Sequence, residues 1–253
     1  MFNTILELTK YRLSLSVIFS SVAGYLIAID YFSIETFLLL FFGGFFLVGA
    51  SNGFNQIIER ERDSIMDRTK NRPIPLGKIS PRSAFIICLI MILSGIVLLY
   101  LINFRTAFFG LISALIYLFL YTPLKTRTPL CVFFGAISGA IPFMLGWVAA
   151  TNKFGIEPGV LFMIQFFWQF PHFWAIGWLS DDDYKKAGFK MLPTGKKDKS
   201  TAFQIVFYTI WTILVSLIPL SGFSGLLTIS YISGLLIFLA GIFMLSKSIN
   251  LML

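Results

Sequence analysis

The chain has 253 residues, 57% of them hydrophobic and only 13% charged, with a formal net charge of +8 and a mean hydropathy of +0.84. That balance excludes an ordinary soluble domain and a polar disordered chain, and it predicts an integral membrane protein. A transmembrane barrel is excluded as well, because the apolar runs are continuous over roughly 20 residues, where barrel strands alternate in segments of about ten.

Eight such runs are countable, near residues 11–29, 36–57, 83–103, 106–124, 129–150, 158–179, 202–221 and 223–245. The fold class expected is all-α, a polytopic transmembrane helix bundle forming one domain over residues 1–253. Lys10 and Arg12 flank the start of the first run, and no small-residue cleavage site follows before Asp30. The first run is therefore expected to remain as a helix.

The second run leads into the densest charge in the chain, from Asn55 through Glu59, Asp63, Asp67, Arg68, Lys70 and Arg72 to Pro73. Read as helix, Asn55, Glu59 and Asp63 recur every four residues, an advance of about 400° and roughly 6 Å per step, which keeps them on one slowly drifting face. A row of hard oxygens of this kind suits Mg2+, which takes one or two carboxylates and completes its shell with water and substrate phosphates. Arg68, Lys70 and Arg72 supply matching cations, since guanidinium forks fit phosphate oxygens. A metal-bound diphosphate is one reading; acid–base pairs along a solvated helix end are the other.

Between the fourth and fifth runs, Tyr121-Thr-Pro-Leu-Lys125-Thr-Arg127-Thr-Pro129 places two more cations. They can reach a diphosphate held by the first cluster, or serve only to orient the chain in the membrane. The sixth run carries the single histidine, His172, among Trp168, Phe170, Phe173 and Trp174. Ionisable groups at membrane depth are expensive and face the bundle interior. His172 could ligate a metal or an iron-porphyrin, act as acid or base, or hydrogen-bond a neighbouring helix. Pro171 is expected to kink this helix and free a carbonyl near Phe167, tolerated where protein or a cavity receives it. Asp181–Asp183 close the run as either a solvated loop or a second Mg2+ site.

Of 20 Lys and Arg residues, 18 fall at the N-terminus, in the loops at about 59–82, 124–129 and 180–201, or in the tail. By the positive-inside rule these segments are cytoplasmic and open on one face. Orientation thus absorbs most of the positive charge, and with no binding motif beside it nucleic acid is not an expected partner. Cys88 and Cys131 lie singly in apolar runs, which indicates neither a disulfide nor a zinc site.

Taken together these residues resemble the UbiA superfamily of intramembrane prenyltransferases, whose first motif, N-x-x-x-D-x-x-x-D, is matched by Asn55, Glu59 and Asp63 with Glu in place of the first Asp. Within it the chain is similar to the haem-farnesylating branch, through Met66-Asp-Arg68-Thr-Lys-Asn-Arg72-Pro73, Lys125-Thr-Arg127-Thr-Pro129, Gly139-Ala-Ile-Pro142 with Gly146-Trp147, Trp168-Gln-Phe-Pro171-His172-Phe-Trp-Ala175, Asp183-Tyr184 and Ala187–Pro193. The match covers roughly residues 5–200.

The resemblance implies Mg2+-dependent transfer of a farnesyl group from farnesyl diphosphate to a vinyl group of haem B, with water adding to give haem O. It implies that Asn55, Glu59, Asp63, Arg72 and Lys125 are catalytic, that Asn55, Glu59, Asp63 and Asp183 hold metal, and that Arg68, Arg72, Lys125 and Arg127 bind diphosphate. His172, Trp168 and Trp174 would contact the haem, and Phe54, Tyr121, Trp168 and Trp174 are candidate shelters for an allylic cation. The expected setting is a bacterial cytoplasmic (inner) membrane, with membrane lipid and haem A synthase or terminal-oxidase assembly factors as partners. Two departures stand out: His172 occupies a helical position where other superfamily members carry aspartate, and the family has nine helices where eight are countable up to Leu253. The rival readings are a UbiA-type enzyme with an aromatic acceptor, a truncated inactive member, and a non-enzymatic transporter, which would spread ionisable groups through the midplane.

Overall fold

The computed structural model describes residues 1–252 and places a helix at each of the eight apolar runs. These are α1 (Tyr11–Ala28), α2 (Ile34–Ile58), α3 (Pro81–Ile102), α4 (Phe104–Leu124), α5 (Cys131–Thr151), α6 (Ile156–Leu179), α7 (Lys199–Ser216) and α8 (Tyr231–Ile249). No strand occurs among the described residues. Helix starts are written in polar side chains: Ser33, Ser80, Asn103, Asp198 and Ser230 each accept a hydrogen bond from the backbone N–H three residues on. Each cap satisfies one of the four donors that a helix start leaves orphaned.

Two local features depart from expectation. A short helix, Phe2–Leu8, precedes α1. The last helix begins at Tyr231 rather than near 223, because Gly222 and Gly225 adopt positive φ (75° and 64°) in a turn that continuous hydropathy does not reveal. Pro171 lies inside α6, as Pro142 lies inside α5, and having no N–H each leaves the carbonyl four residues earlier without its helical donor. Seven of the eight helices are long and apolar enough to cross a membrane; α6, carrying Gln165, Gln169 and His172, is not among them.

The centre of the bundle is α5, with 72% of its most apolar window buried, against 11% for α8 at the rim. It packs against α1, α4 and α6; α2 pairs closely with α3, and α7 joins α6 to α8. Small residues permit the tightest of these crossings. A Cβ at Gly146 of α5 would strike the Ser21 carbonyl of α1, and one at Gly24 of α1 would strike the Phe143 carbonyl of α5. Close backbone approach through small residues is how helices associate where lipid offers no hydrophobic driving force. Outward faces carry exposed apolar side chains such as Phe19, Leu101, Phe119 and Phe243, as a lipid-facing surface requires.

Candidate active site

The central cavity, of about 540 Å³, lies among α1, α2, α4, α5 and α6 and opens toward the charged loops. That volume is within the roughly 300–1,000 Å³ of small-molecule sites. Its loop end is ionic, and its deeper part is aromatic and polar but uncharged.

At the loop end, α2 finishes at Ile58, Glu59 caps it, and a single further turn, Arg60–Asp63, continues the rise with Asp63 N–H donating to the Glu59 carbonyl at 2.8 Å. Asn55, Glu59 and Asp63 thereby remain on one side, and all three line the cavity with at most 4% exposure. Each is engaged by a cation from a different part of the chain. Lys10 Nζ donates to Asn55 Oδ1 at 3.2 Å, Lys125 Nζ to Glu59 Oε1 at 2.9 Å, and Arg72 NH1 to both Asp63 carboxylate oxygens at 2.7 Å. Burial of such charges is tolerable only because they are paired.

Lys10 was expected only to orient the chain. The structure places it in the left-handed backbone region (φ 46°) between the N-terminal helix and α1, where Gln56 fixes the helix end by donating to the carbonyls of Glu7 and Leu8. Its side chain turns into the cavity. Burial, together with the charges of Arg72 and Lys125, lowers its ammonium to about 7, against the opposing pull of Glu59 and Asp63. For Lys125 burial is the largest influence and favours the neutral amine, but Glu59, Tyr117 and Tyr184 together outweigh it and the group is held above its ordinary value.

Lys125 is aimed by an irregular stretch of α4. Residues Ile116–Tyr121 form a π-helical turn, and the Thr122 hydroxyl donates to the Tyr117 carbonyl at 2.9 Å while accepting from Asn55 Nδ2 at 3.3 Å. Tyr117 and Tyr121 both face the cavity, and the Lys125 ammonium stands 4.5 Å from the centre of the Tyr121 ring. Such π-helical turns occur often at functional sites.

The loop over the cavity is pinned from the far side. Asp183 accepts from the backbone N–H groups of Asp67 (3.2 Å) and Arg68 (3.0 Å), which hold its carboxyl below the usual range. The Asp67 carboxyl, bonded by Lys186 and Lys70, falls to about 2. Arg68, thus positioned, lies over the Tyr184 ring and donates to its hydroxyl at 2.9 Å.

Several expected site residues lie elsewhere. Asp183 does not line the cavity; its two oxygens accept from the loop backbone and so position Arg68. Arg127 is exposed and outside the cavity. Trp174 points away from it, packing on Phe170 and Tyr208, and Phe54 packs on Phe85. His172 and Trp168 do line the cavity, stacked at 4.4 Å between ring centroids. Gln165 and Gln169 join them from the same helix, and Ser113 and Ser138 from α4 and α5.

The donor chemistry fits a hard divalent cation in one specific way. Among the described residues no three His, Cys, Asp or Glu side chains cluster closely enough to hold a metal by themselves. Two carboxylates and the Asn55 amide oxygen form a partial set, which a ligand's phosphate oxygens and water would complete.

The sequence comparisons agree with one another. The chain is 61% identical over 245 residues to a protoheme IX farnesyltransferase of Christiangramia forsetii, covering 97% of this chain and 82% of that one. It is 56% identical over 253 residues to the protoheme IX farnesyltransferase of Flavobacterium psychrophilum, covering 99% and 84%. In fold it superposes on a digeranylgeranylglyceryl phosphate synthase with a TM-score of 0.80 at 24% identity, covering 99% of this chain and 87% of that chain. A UbiA homologue from Archaeoglobus fulgidus, solved with DMAPP and Mg2+, superposes with a TM-score of 0.75 at 16% identity, covering 98% and 85%. The model of the UbiA prenyltransferase family matches residues 17–251, and with these relatives it makes the chain a member of that family, among its protoheme IX farnesyltransferases.

Proposed function

We propose that this protein transfers the farnesyl group of farnesyl diphosphate to a vinyl group of haem B, with addition of water, to make haem O. The observation that carries the reading is the meeting of Lys10, Arg68, Arg72 and Lys125 with Asn55, Glu59 and Asp63 at one end of a cavity whose remaining walls are uncharged, built of apolar and aromatic side chains with a few amides and hydroxyls. A diphosphate and a long apolar chain need these two environments joined.

The cations have a double duty in this reading. Without ligand Arg72 and Lys125 neutralise the buried carboxylates of Asp63 and Glu59; with a diphosphate bound, they and Arg68 turn their donors to its oxygens and stabilise the charge that grows there as the C–O bond breaks. Mg2+ held by Asn55, Glu59 and Asp63 together with the diphosphate would add Lewis-acid charge to the leaving group. The faces of Tyr117 and Tyr121 stand beside the same end and suit a developing allylic cation. His172, with Trp168 stacked on it, contacts the haem at iron or at a propionate. The low-dielectric surroundings limit stray water before the acceptor is seated. One domain spans residues 1–253, the charged loops face the cytoplasm of a bacterial inner membrane, and both amphiphilic substrates enter from the bilayer.

The test is incubation of the purified, detergent-solubilised protein with haem B and farnesyl diphosphate, with and without Mg2+, followed by mass spectrometry of the extracted haems. A Mg2+-dependent haem O product is expected. Its absence from a folded protein that still binds farnesyl diphosphate would overturn the reading.

A further inference from the structure

The reaction just proposed has three reactants, and the ionic end of the cavity provides for only one of them. The deeper wall contains polar groups of another kind. The Ser113 and Ser138 hydroxyls are already committed, donating to the carbonyls of Ser138 (2.9 Å) and Gly135 (3.1 Å). Gln169 is not: the residue is only 7% exposed, it lines the cavity, and it makes no hydrogen bond to any described residue. Its amide lies against Gly139 of α5, where an added Cβ would stand 2.5 Å from Nε2 and 2.8 Å from Cδ. The missing side chain at 139 is the seat of the amide. Gln165, partly buried on the same wall, lies one turn away.

Neither amide atom is sealed off, so the Gln169 amide faces the cavity with its hydrogen-bonding capacity free for a ligand or water. The farnesyl chain and the haem vinyl group have no hydrogen-bonding atoms at their reacting carbons. The polar reactant that must arrive at those carbons is water. Resting on the functional reading above, we propose that Gln169, seated on Gly139, is the positioning residue that holds the water which becomes the product hydroxyl. In the step, C1 of the farnesyl group bonds to the terminal vinyl carbon as diphosphate leaves with the bonding pair. Positive charge then rests on the inner vinyl carbon, beside the porphyrin ring. The oxygen of the Gln169-held water bonds to that carbon, and the proton it releases passes to the departed diphosphate. Without a water in place the cation discharges by losing a proton from the adjacent carbon, which leaves an alkene lighter than haem O by one water.

Product partition tests this directly. Wild type, Gln169→Leu and Gly139→Ala are incubated with haem B, farnesyl diphosphate and Mg2+, and the alkene-to-alcohol ratio among farnesylated haems is read by mass spectrometry. A rise in that ratio of about tenfold or more is expected for Gln169→Leu, since one lost hydrogen bond is worth roughly a factor of ten. A smaller rise is expected for Gly139→Ala, whose methyl displaces the flexible end of Gln169. An unchanged ratio in both variants overturns the proposal, as does a raised KM for haem with the alcohol as sole product, which would make Gln169 a propionate contact. Should Gln169→Leu fail to fold, the ratio in Gly139→Ala decides alone. If wild type makes no farnesylated haem at all, the functional reading falls first and the inference falls with it.

Discussion

Removing Lys125 separates what the buried ion pairs do for stability from what they do for chemistry. The Lys125 and Glu59 side chains are 10% and 5% exposed and meet at 2.9 Å. Lys125→Met keeps the length and the apolar stem while leaving Glu59 buried and unpaired. Breaking a buried pair by removing one partner costs about 3–5 kcal/mol, whereas replacing both partners by neutral groups is often close to neutral. The lost attraction to the Tyr121 ring, 4.5 Å away, adds about 0.5–1 kcal/mol. Lys125→Met should therefore be destabilised by roughly 4–6 kcal/mol in equilibrium unfolding in micelles, followed by tryptophan fluorescence. Lys125→Met/Glu59→Gln should regain most of that stability and none of the transferase activity. A single variant within about 0.5 kcal/mol of wild type, the range of ordinary surface changes, would refute the reasoning, as would a double variant no more stable than the single one.

Arg68→Ala should raise the KM for farnesyl diphosphate about tenfold to a hundredfold, the loss of one charge-assisted contact, with little change for haem; steady-state kinetics with each substrate varied in turn decides it. Asp183→Asn should keep the protein folded but loosen the loop at 66–72, seen as faster amide hydrogen exchange at Asp67 and Arg68, the two N–H groups that Asp183 accepts from. Helix propensity alone would favour Gly146→Ala by about 1 kcal/mol. The sign should nevertheless be destabilising, by about 1–3 kcal/mol or more, because the new methyl meets the Ser21 backbone, which cannot rotate away.

The eight helices were legible because a membrane span is a statement of composition, and seven of them satisfy it outright. The sixth was counted with the other apolar runs although it falls short of that criterion; Gln165, Gln169 and His172, which lower its hydropathy, line the cavity. The four-residue spacing of Asn55, Glu59 and Asp63 was legible as a shared face because one α-helical rise governs all three. Contacts between segments distant in sequence were not legible in this way. Lys10 lies 45 residues from Asn55, and nothing local distinguishes it from a topology signal until a left-handed residue turns it inward. Asp183, Arg127, Trp174 and Phe54 have the right chemistry, but which side of a helix or loop they occupy depends on packing partners that spacing does not name.

The π-helical turn at Ile116–Tyr121 makes the length of α4 a functional dimension. Each residue of a regular helix turns the chain by about 100° and advances it by about 1.5 Å, so deleting one residue between Ser113 and Lys125 to restore α-helical winding would swing the ammonium of Lys125 roughly a quarter-turn off Glu59. The Thr122 contact to Asn55 would go with it. Lipid-facing positions such as Phe119 and Leu120 can change side chain freely without disturbing this register. This stretch of the chain is constrained in residue number more than in residue identity, and it works as a ruler whose graduations are peptide units.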